Sequence, residues 1–259
     1  MIELSRISLS FAKGSALEKP AIVDMSLDIP TGQWVCILGS NGAGKSTLLS
    51  AVSGEYAVDS GSIRIDNENV TRLPVEDRAH LVVKMFQDPL AGTFHELSIE
   101  ENLTLARMRG KRRCLGLAGV HVDRQANAKL LAQLNLGLEE RLGEPVANLS
   151  GGQRQALSLL MTTLSPAKVL LLDEHTAALD PNTERMILQL TERVVREHKL
   201  TTLMVTHSLE QALSMGDRII VLSAGRIIHD IGAKEKALLS VSDLLERFGK
   251  SAASDRMLL

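Results

Sequence analysis

A glycine-rich stretch that ends in lysine and serine carries the clearest chemical signal in the sequence. Residues 39–46 read Gly-Ser-Asn-Gly-Ala-Gly-Lys-Ser and fit the P-loop pattern G-x-x-x-x-G-K-[ST]. In such a loop, glycines let backbone N–H groups turn toward an anion at the positive end of the following helix. We expect Lys45 to reach the β- and γ-phosphates of a nucleotide and the Ser46 hydroxyl to bind Mg²⁺. The residues expected to line the nucleotide are Gly39, Ser40, Asn41, Gly42, Ala43, Gly44, Lys45, Ser46 and Thr47.

Two adjacent carboxylates follow a strongly apolar run in the last third of the chain. Residues 169–172 read Val-Leu-Leu-Leu, and Asp173 and Glu174 come directly after them. Adjacent carboxylates at the tip of a buried strand are costly unless a cation or a substrate uses them. We expect Asp173 to bind Mg²⁺ and Glu174 to be the general base that polarises an attacking water. The alternative is a strand-end turn with two solvated acids, which fits poorly beside a P-loop.

The elements that must position these residues alternate between strand and helix. Apolar and polar residues alternate in residues 2–10, apolar residues recur at period two in residues 22–29, and residues 62–66 are predicted to be a further short strand. Residues 35–38 form a continuous apolar run, which is typical of a strand covered on both faces. Helical spacing follows in residues 100–108, 123–134 and 153–164, and the last third alternates strands with helices up to the C-terminal region. This order predicts a parallel sheet flanked by helices, with a helical block inserted between two halves of an α/β core.

Composition limits the class of protein. The 259 residues include 29 Lys+Arg and 31 Asp+Glu, a net charge of −2, which argues against a nucleic-acid binder that relies on a basic surface. One Trp, one Tyr and four Phe predict an aliphatic core. The two cysteines, Cys36 and Cys114, are too few for a disulfide framework or a four-cysteine zinc site, so we expect neither. No apolar run approaches the roughly 18 residues of a membrane span, and no signal peptide follows Met1, so we expect a cytosolic chain.

A second candidate anion site precedes the helix predicted from residue 154. Residues 149–153 read Leu-Ser-Gly-Gly-Gln, in which Ser150 can cap the helix while the glycine N–H groups stay exposed. Here the chain resembles the ABC (ATP-binding cassette) ATPases, whose signature is LSGGQ, and the resemblance extends from residue 2 to about residue 248. It implies that this loop closes over the γ-phosphate held by the P-loop of a partner cassette. The residues expected to contact the partner's ATP are Leu149, Ser150, Gly151, Gly152 and Gln153.

The resemblance assigns roles to four further residues. Gln87 matches the Q-loop glutamine, which contacts Mg²⁺ and the water. Asp180 matches the D-loop aspartate at the dimer interface, and His207 matches the switch histidine that contacts the γ-phosphate and orients Glu174. Phe11 falls where the family has an aromatic residue that stacks on adenine, and a role in the core is the alternative for it.

The fold class implied is a P-loop NTPase of the RecA-like type, with a parallel-sheet core, an N-terminal antiparallel β subdomain and an inserted helical subdomain. We expect one ABC ATPase domain over residues 1–259, with its core at 1–88 and 165–248, the helical subdomain at 89–164 and a short tail at 249–259. The implied activity is hydrolysis of ATP to ADP and phosphate, with ATP and Mg²⁺ as cofactors. The expected catalytic residues are Lys45, Gln87, Glu174 and His207, and the expected Mg²⁺ ligands are Ser46, Gln87 and Asp173.

The resemblance also implies partners. We expect a second ATPase subunit, in a homodimer or with a paralogue, together with integral-membrane permease subunits and, indirectly, a substrate-binding protein. This places the chain at the cytoplasmic face of the cell membrane. Residues 87–102 and 173–180 are similar to those of a bacterial importer subfamily in which some members are associated with tryptophan or tyrosine, so we expect import, with an amino acid as candidate solute. The alternative is a soluble ABC ATPase that transports nothing, such as a component of iron–sulfur cluster assembly.

One residue departs from the family pattern, and one basic run has two interpretations. His175 stands where the family usually has proline; it is either a neutral difference or a titratable group near the dimer interface. A basic run places five positive charges in seven residues, which are Arg107, Arg109, Lys111, Arg112 and Arg113. We favour a solvated helix end for this run over contact with lipid headgroups or with an acidic permease loop.

Overall fold

The structure is a computed structural model, and it describes residues 1–88, 90–110, 123–177 and 179–252. The elements of the first half are β1 (Ile2–Phe11), β2 (Lys19–Ile29), β3 (Trp34–Gly39), α1 (Lys45–Ser53), β4 (Ser60–Ile65), β5 (Glu68–Asn69), α2 (Val75–Arg78), β6 (Val82–Met85), α3 (Ile99–Arg107) and α4 (Arg124–Ala132). Those of the second half are α5 (Gly151–Thr162), β7 (Val169–Asp173), α6 (Pro181–His198), β8 (Thr201–Val205), α7 (Leu209–Ser214), β9 (Arg218–Ser223), β10 (Arg226–Ile231), α8 (Ala233–Lys236) and α9 (Val241–Ala252). Two short 3₁₀ helices, Leu138–Glu140 and Val146–Asn148, precede α5.

The chain divides into two units, of which the first comprises Met1–Val75 and Leu200–Leu259. Its antiparallel sheet has the strand order β2-β1-β4-β5. Ile2 pairs with Ile29 of β2 on one side and with Ile65 of β4 on the other, and all three side chains are buried. The period-two spacing of apolar residues in the sequence therefore predicted this sheet correctly.

The first unit also contains the parallel strands β3, β8 and β9. β3 runs between β8 and β9, with Cys36 opposite Met204 on one side and Ile219 on the other. Because a strand in this position is covered on both faces, its residues from Trp34 to Leu38 are all buried, which accounts for the continuous apolar run.

Strand β10 was missed by the sequence analysis. It pairs antiparallel with β9. The turn between the two strands uses Ala224 and Gly225, both in the left-handed region, with φ of 45° and 75°. Two successive residues with positive φ make the tight turn that suits the twist of an antiparallel hairpin.

The second unit comprises Glu76–Lys199. Its strands β6 and β7 are parallel, with Val82 opposite Val169 and Met85 opposite Leu172. The helices begin at capping residues: the Ser98 side chain accepts from the Glu101 N–H in a capping box at α3, and Asp123 accepts from the Ala126 N–H at α4. The helical middle and the strand before Asp173 are thus confirmed.

The described core is aliphatic, as the composition predicted. Trp34 is the one aromatic residue among the buried hydrophobic side chains of the part of the chain that the structure describes. Within these same residues, no helix combines the length and the apolar character needed to cross a bilayer.

Candidate nucleotide-binding site

The P-loop of the first unit is shaped by glycines that accept no side chain. β3 delivers the chain to Gly39, and α1 begins at Lys45, with Gly44 as its N-cap residue at φ 100° and ψ 9°. A Cβ at Gly39 would overlap the carbonyl oxygen of Leu222 in β9, and a Cβ at Gly44 would overlap that of Ala21 in β2. Close backbone approach therefore demands glycine at both positions, in addition to the left-handed φ at Gly44.

Lys45 is held against the loop that it follows. Its side chain is buried, and its Nζ donates to the carbonyl oxygens of Gly39 at 2.8 Å and Ser40 at 3.0 Å. Ser46, in the first turn of α1, is exposed to solvent. The N–H groups of the first turn and the macrodipole make this helix end attractive to anions, so an ammonium group and a hydroxyl both stand where a phosphate is favoured. Of the other predicted lining residues, Asn41 and Gly42 are exposed, Ser40 and Thr47 are half-buried and Ala43 is buried.

His207 follows a strand that neighbours the P-loop strand. Ile37 of β3 pairs with Val205 of β8, so Gly39 and His207 each stand two residues beyond a paired position at the same edge of the sheet. His207 is exposed, whereas Thr206 before it is buried and donates its hydroxyl to Gln211 Oε1 at 2.6 Å. The structure therefore brings His207 to the edge at which the P-loop lies.

Phe11, at the end of β1, lies on the surface. It is 39% exposed, which removes the alternative of a core role. Its ring meets Tyr56 edge to face, with ring centroids 5.3 Å apart and an interplanar angle of 84°. Sequence reasoning missed Tyr56, because the two residues are far apart along the chain. The pair offers an exposed aromatic surface that suits a flat heterocycle.

The second unit presents polar side chains at the carboxyl ends of β6 and β7. Because Met85 pairs with Leu172, Gln87 and Glu174 each stand two residues beyond paired positions at one edge, next to Asp173. Gln87 is exposed, and the two carboxylates are half-buried. The structure thus brings together the three residues that the sequence placed after these strands.

Glu174 has an unusual backbone. Its φ is 48°, in the left-handed region that residues other than glycine rarely adopt. Such a conformation costs on the order of 1–3 kcal/mol and persists only where the surroundings impose it. A hydrogen bond from the Ala177 N–H to the Glu174 carbonyl, at 3.0 Å, closes the turn that follows.

His175, the departure from the family pattern, is an interior residue. Only 3% of it is exposed, and its Nε2 lies 3.1 Å from Thr191 Oγ1 in α6. Burial lowers the pKa of His175 to about 4, so its imidazole is neutral at physiological pH. This argues against the alternative of a titratable group at a dimer interface.

The glycine pair of residues 149–153 opens α5 as predicted. Ser150 is the N-cap residue, and it forms a capping box with Gln153: the Gln153 N–H donates to Ser150 Oγ at 3.2 Å, and the Ser150 N–H donates to Gln153 Oε1 at 3.1 Å. A Cβ at Gly152 would overlap the Thr183 methyl group of α6, so this glycine lets the two helices approach closely. Leu149 is buried, whereas Ser150 and Gly151 are exposed.

Asp180 begins α6. Its carboxylate accepts from the N–H groups of Asn182 and Thr183, each at 3.2 Å, and Pro181 occupies the first helical position. Hydrogen bonds from the side chain and backbone of Thr183, and from the backbone of Asn182, hold the pKa of Asp180 below its usual value. The aspartate is exposed, so its capping role leaves it at the surface.

The basic run is only partly described. Arg107, the last residue of α3, and Arg109 are half-buried, and burial lowers the pKa of Arg109. Lys111, Arg112 and Arg113 lie outside the described residues, as does Cys114.

Oxygen donors suitable for a hard cation are found in both units. The expected ligands are a hydroxyl (Ser46), an amide oxygen (Gln87) and a carboxylate (Asp173). Mg²⁺ is bound in phosphate-transfer sites by one or two carboxylates together with substrate phosphates and water. Each of the three side chains therefore offers an oxygen donor of the kind that Mg²⁺ prefers.

Comparisons with known proteins show the family to which the chain belongs. The family model described as ABC transporter matches residues 22–177. The chain is 43% identical over 252 residues to the tyrosine transport ATP-binding protein of Clostridioides difficile, covering 96% of this chain and 98% of that protein. It is 30% identical over 256 residues to the methionine import ATP-binding protein MetN of Caulobacter vibrioides, covering 98% and 74%. Among solved structures, a dimeric ATP-binding cassette in a post-hydrolysis state with ADP and Pi matches with a TM-score of 0.75 and 26% identity, over 90% of this chain and 99% of that one.

The chain belongs to the ABC transporter family. It is an ATP-binding and ATP-hydrolysing subunit of such a transporter, built on the P-loop NTPase fold. The predicted family, fold class and enzymatic activity are confirmed, and the transporter subunit is favoured over the soluble alternative.

Proposed function

We propose that this subunit powers the import of an amino acid and that tyrosine is the first solute to test. The observation that carries the proposal is the 43% identity to a tyrosine transport ATP-binding protein, which spans 96% of this chain and 98% of the relative. The likeness therefore extends over both chains nearly end to end, beyond the motifs that all cassettes share. The second relative is named for import of methionine, which is also an amino acid.

The P-loop binds ATP, with the triphosphate against the N-terminus of α1. Lys45 exchanges its loop carbonyl partners for phosphate oxygens, which are stronger acceptors for an ammonium group. Ser46, Asp173 and Gln87 would hold Mg²⁺, which would supply neutralisation of the phosphate charge. Phe11 stacks on the adenine, and the exposed edge-to-face pair that it forms with Tyr56 supports this role.

Hydrolysis requires a water aligned with the bond that breaks. Glu174 accepts the water's proton or orients the water, and His207 contacts the γ-phosphate and steadies Glu174. Within its own unit, each residue follows the carboxyl end of a parallel strand, where α/β sheets bind their ligands. Catalysis in this class is mainly positioning and charge neutralisation, so small displacements of these side chains carry large kinetic effects.

A second copy of the chain completes each nucleotide site in our proposal. Ser150 and Gly151 are exposed at the N-terminus of α5, so the Ser150 hydroxyl and the Gly151 N–H can donate to a phosphate held by the other copy. Asp180 lies at the same interface. The dimeric cassette found among the solved structures supports this arrangement.

The remaining partners follow from transport. Permease subunits carry the solute across the membrane and hold the cassettes at its cytoplasmic face, and a substrate-binding protein delivers the solute. Closing of the dimer on ATP and its opening after hydrolysis drive the permease.

The proposal is tested by uptake into proteoliposomes that contain this chain with its permease and substrate-binding protein. We expect ATP-dependent accumulation of labelled tyrosine, and competition by unlabelled tryptophan and phenylalanine reveals how widely aromatic amino acids are accepted. The matched control is Glu174→Gln, which should bind ATP and transport nothing. Transport of methionine but not of tyrosine would contradict the proposed solute, and normal hydrolysis by Glu174→Gln would refute the role of the glutamate.

A further inference from the structure

The residue that follows Glu174 is tied to α6 by its side chain. His175 Nε2 lies 3.1 Å from Thr191 Oγ1, and that hydroxyl donates to the Ile187 carbonyl at 2.8 Å. A hydroxyl carries a single hydrogen, and a carbonyl only accepts. Since the Thr191 hydrogen is given to Ile187, the bond to His175 is an N–H donated by Nε2. The neutral imidazole therefore carries its hydrogen on Nε2, and this bond joins the ring to α6.

The same residue is tied to α5 by its backbone. Gln155 Nε2 donates to the His175 carbonyl at 2.5 Å. Gln155 is 1% exposed, and its Oε1 has no hydrogen-bond partner among the described residues, so the bond to His175 fixes the orientation of this amide. It lies five residues after Ser150, one and a half turns into the helix that Ser150 caps.

The two hydrogen bonds of His175 hold the residue that directly follows the strained backbone of Glu174. Glu174 has φ 48°, a conformation that tends to relax unless its neighbours are fixed. Both bonds are buried and both end on helices, so they resist rotation of the chain about His175. We propose that His175 is a positioning residue for Glu174, held from α6 by Thr191 and from α5 by Gln155. This inference rests on the proposed role of Glu174 as the base.

As a consequence, the position of Glu174 is coupled to α5, the helix that begins with the glycine pair. α5 opens with Ser150 and Gly151, which in the proposed function close over the other copy's nucleotide. The bond between Gln155 and the His175 carbonyl joins that helix to the residue beside Glu174. The position of the base then follows the position of α5 within this unit.

The test uses Thr191→Val, which removes the hydroxyl at nearly constant side-chain volume, with Thr191→Ser as its matched control. Steady-state ATP hydrolysis by the full-length chain with Mg²⁺ gives kcat and KM, and circular dichroism and Tm report folding. We expect Thr191→Val to lower kcat about tenfold and to leave KM for ATP within about twofold of wild type, because the base is misplaced while the P-loop is untouched. Thr191→Ser should stay within about twofold of the wild-type kcat. Gln155→Met removes the hydrogen bond to the His175 carbonyl and should likewise lower kcat while leaving KM for ATP nearly unchanged.

The outcomes separate positioning from mere packing. A wild-type kcat in Thr191→Val and in Gln155→Met overturns the proposal, even if Tm falls. So does a loss that Thr191→Ser shares, because the effect then does not depend on the hydroxyl. If Thr191→Val does not fold, Gln155→Met decides alone. Glu174→Gln separates failure of the proposed base from failure of the positioning role. Full turnover by Glu174→Gln refutes the role of Glu174 as the base. Loss of turnover in Glu174→Gln, with wild-type turnover in Thr191→Val and Gln155→Met, refutes only the positioning role of His175.

Discussion

Alanine at Gly44 should destabilise the protein more than alanine at Gly42, although both glycines lie in the same loop. Both have positive φ, 100° and 81°. They differ in what a Cβ would meet. At Gly44 it would overlap the carbonyl oxygen of Ala21 in β2, whereas at Gly42 it would meet nothing within 4 Å. The pair therefore separates the cost of the backbone conformation from the cost of close packing.

The magnitudes follow from these two differences. A left-handed backbone costs an L residue about 1–2 kcal/mol, and this applies to both variants. Overlap with a fixed backbone oxygen forces the loop or β2 to shift and adds about 1–3 kcal/mol for Gly44→Ala alone. For a chain of this size, each kcal/mol lowers Tm by roughly 2–4 °C. We expect Gly42→Ala to lose about 1–2 kcal/mol of unfolding free energy, and Gly44→Ala about 2–5 kcal/mol together with much of its ATP affinity.

Urea unfolding followed by tryptophan fluorescence measures this directly, since the single tryptophan, Trp34, is fully buried in β3. Gly14→Ala is the control outside the P-loop, with φ 76° and nothing within 4 Å of its Cβ. It should match Gly42→Ala in stability and bind ATP as the wild type does. Equal destabilisation by Gly44→Ala and Gly42→Ala would refute the close approach of the loop to β2.

Two further predictions concern the described surface and interior. Asp180→Ala should lower the free energy of unfolding at neutral pH, whereas Asp180→Asn keeps the helix cap. Because the pKa of Asp180 is lowered in the folded state, its charge stabilises the fold above the usual pKa of about 4, and this contribution is lost as the pH falls through the lowered value. Asp180→Asn should therefore flatten the acid part of a curve of unfolding free energy against pH. Cys36 is fully buried, and burial raises its pKa to about 12. In a Cys114→Ser background it should react with a thiol reagent at pH 8 only as fast as the protein unfolds, and immediate reaction of the native protein would contradict its burial.

The sequence predicted those features that local patterns determine. The P-loop spacing specified the turn between β3 and α1, and the run before Asp173 specified a buried strand. The capping box of Ser150 and Gln153 was equally readable, since it needs only two residues three positions apart. The Asp-Pro pair at the start of α6 is a similar local signal for the capping role of Asp180.

Features that depend on contacts between distant residues escaped prediction. His175, Thr191 and Gln155 meet because α5 and α6 pack beside the strand end, and no local pattern encodes that meeting. The overlap that excludes a Cβ at Gly44 comes from Ala21 in another strand. β10 was missed for a different reason: three of its six residues are exposed and its apolar spacing is weak, although the Ala-Gly turn before it was a usable signal.

We propose that one triphosphate is bound by the P-loop of one copy and by Ser150 and Gly151 of another. Light scattering on Glu174→Gln with and without MgATP measures whether the nucleotide joins two copies. We predict the 28.1 kDa mass of a single chain without nucleotide and twice that mass with it. Adding Ser150→Arg to the same variant should restore the single-chain mass while ATP stays bound. A Glu174→Gln chain that binds MgATP and stays at the mass of one copy would show that two copies do not share the nucleotide.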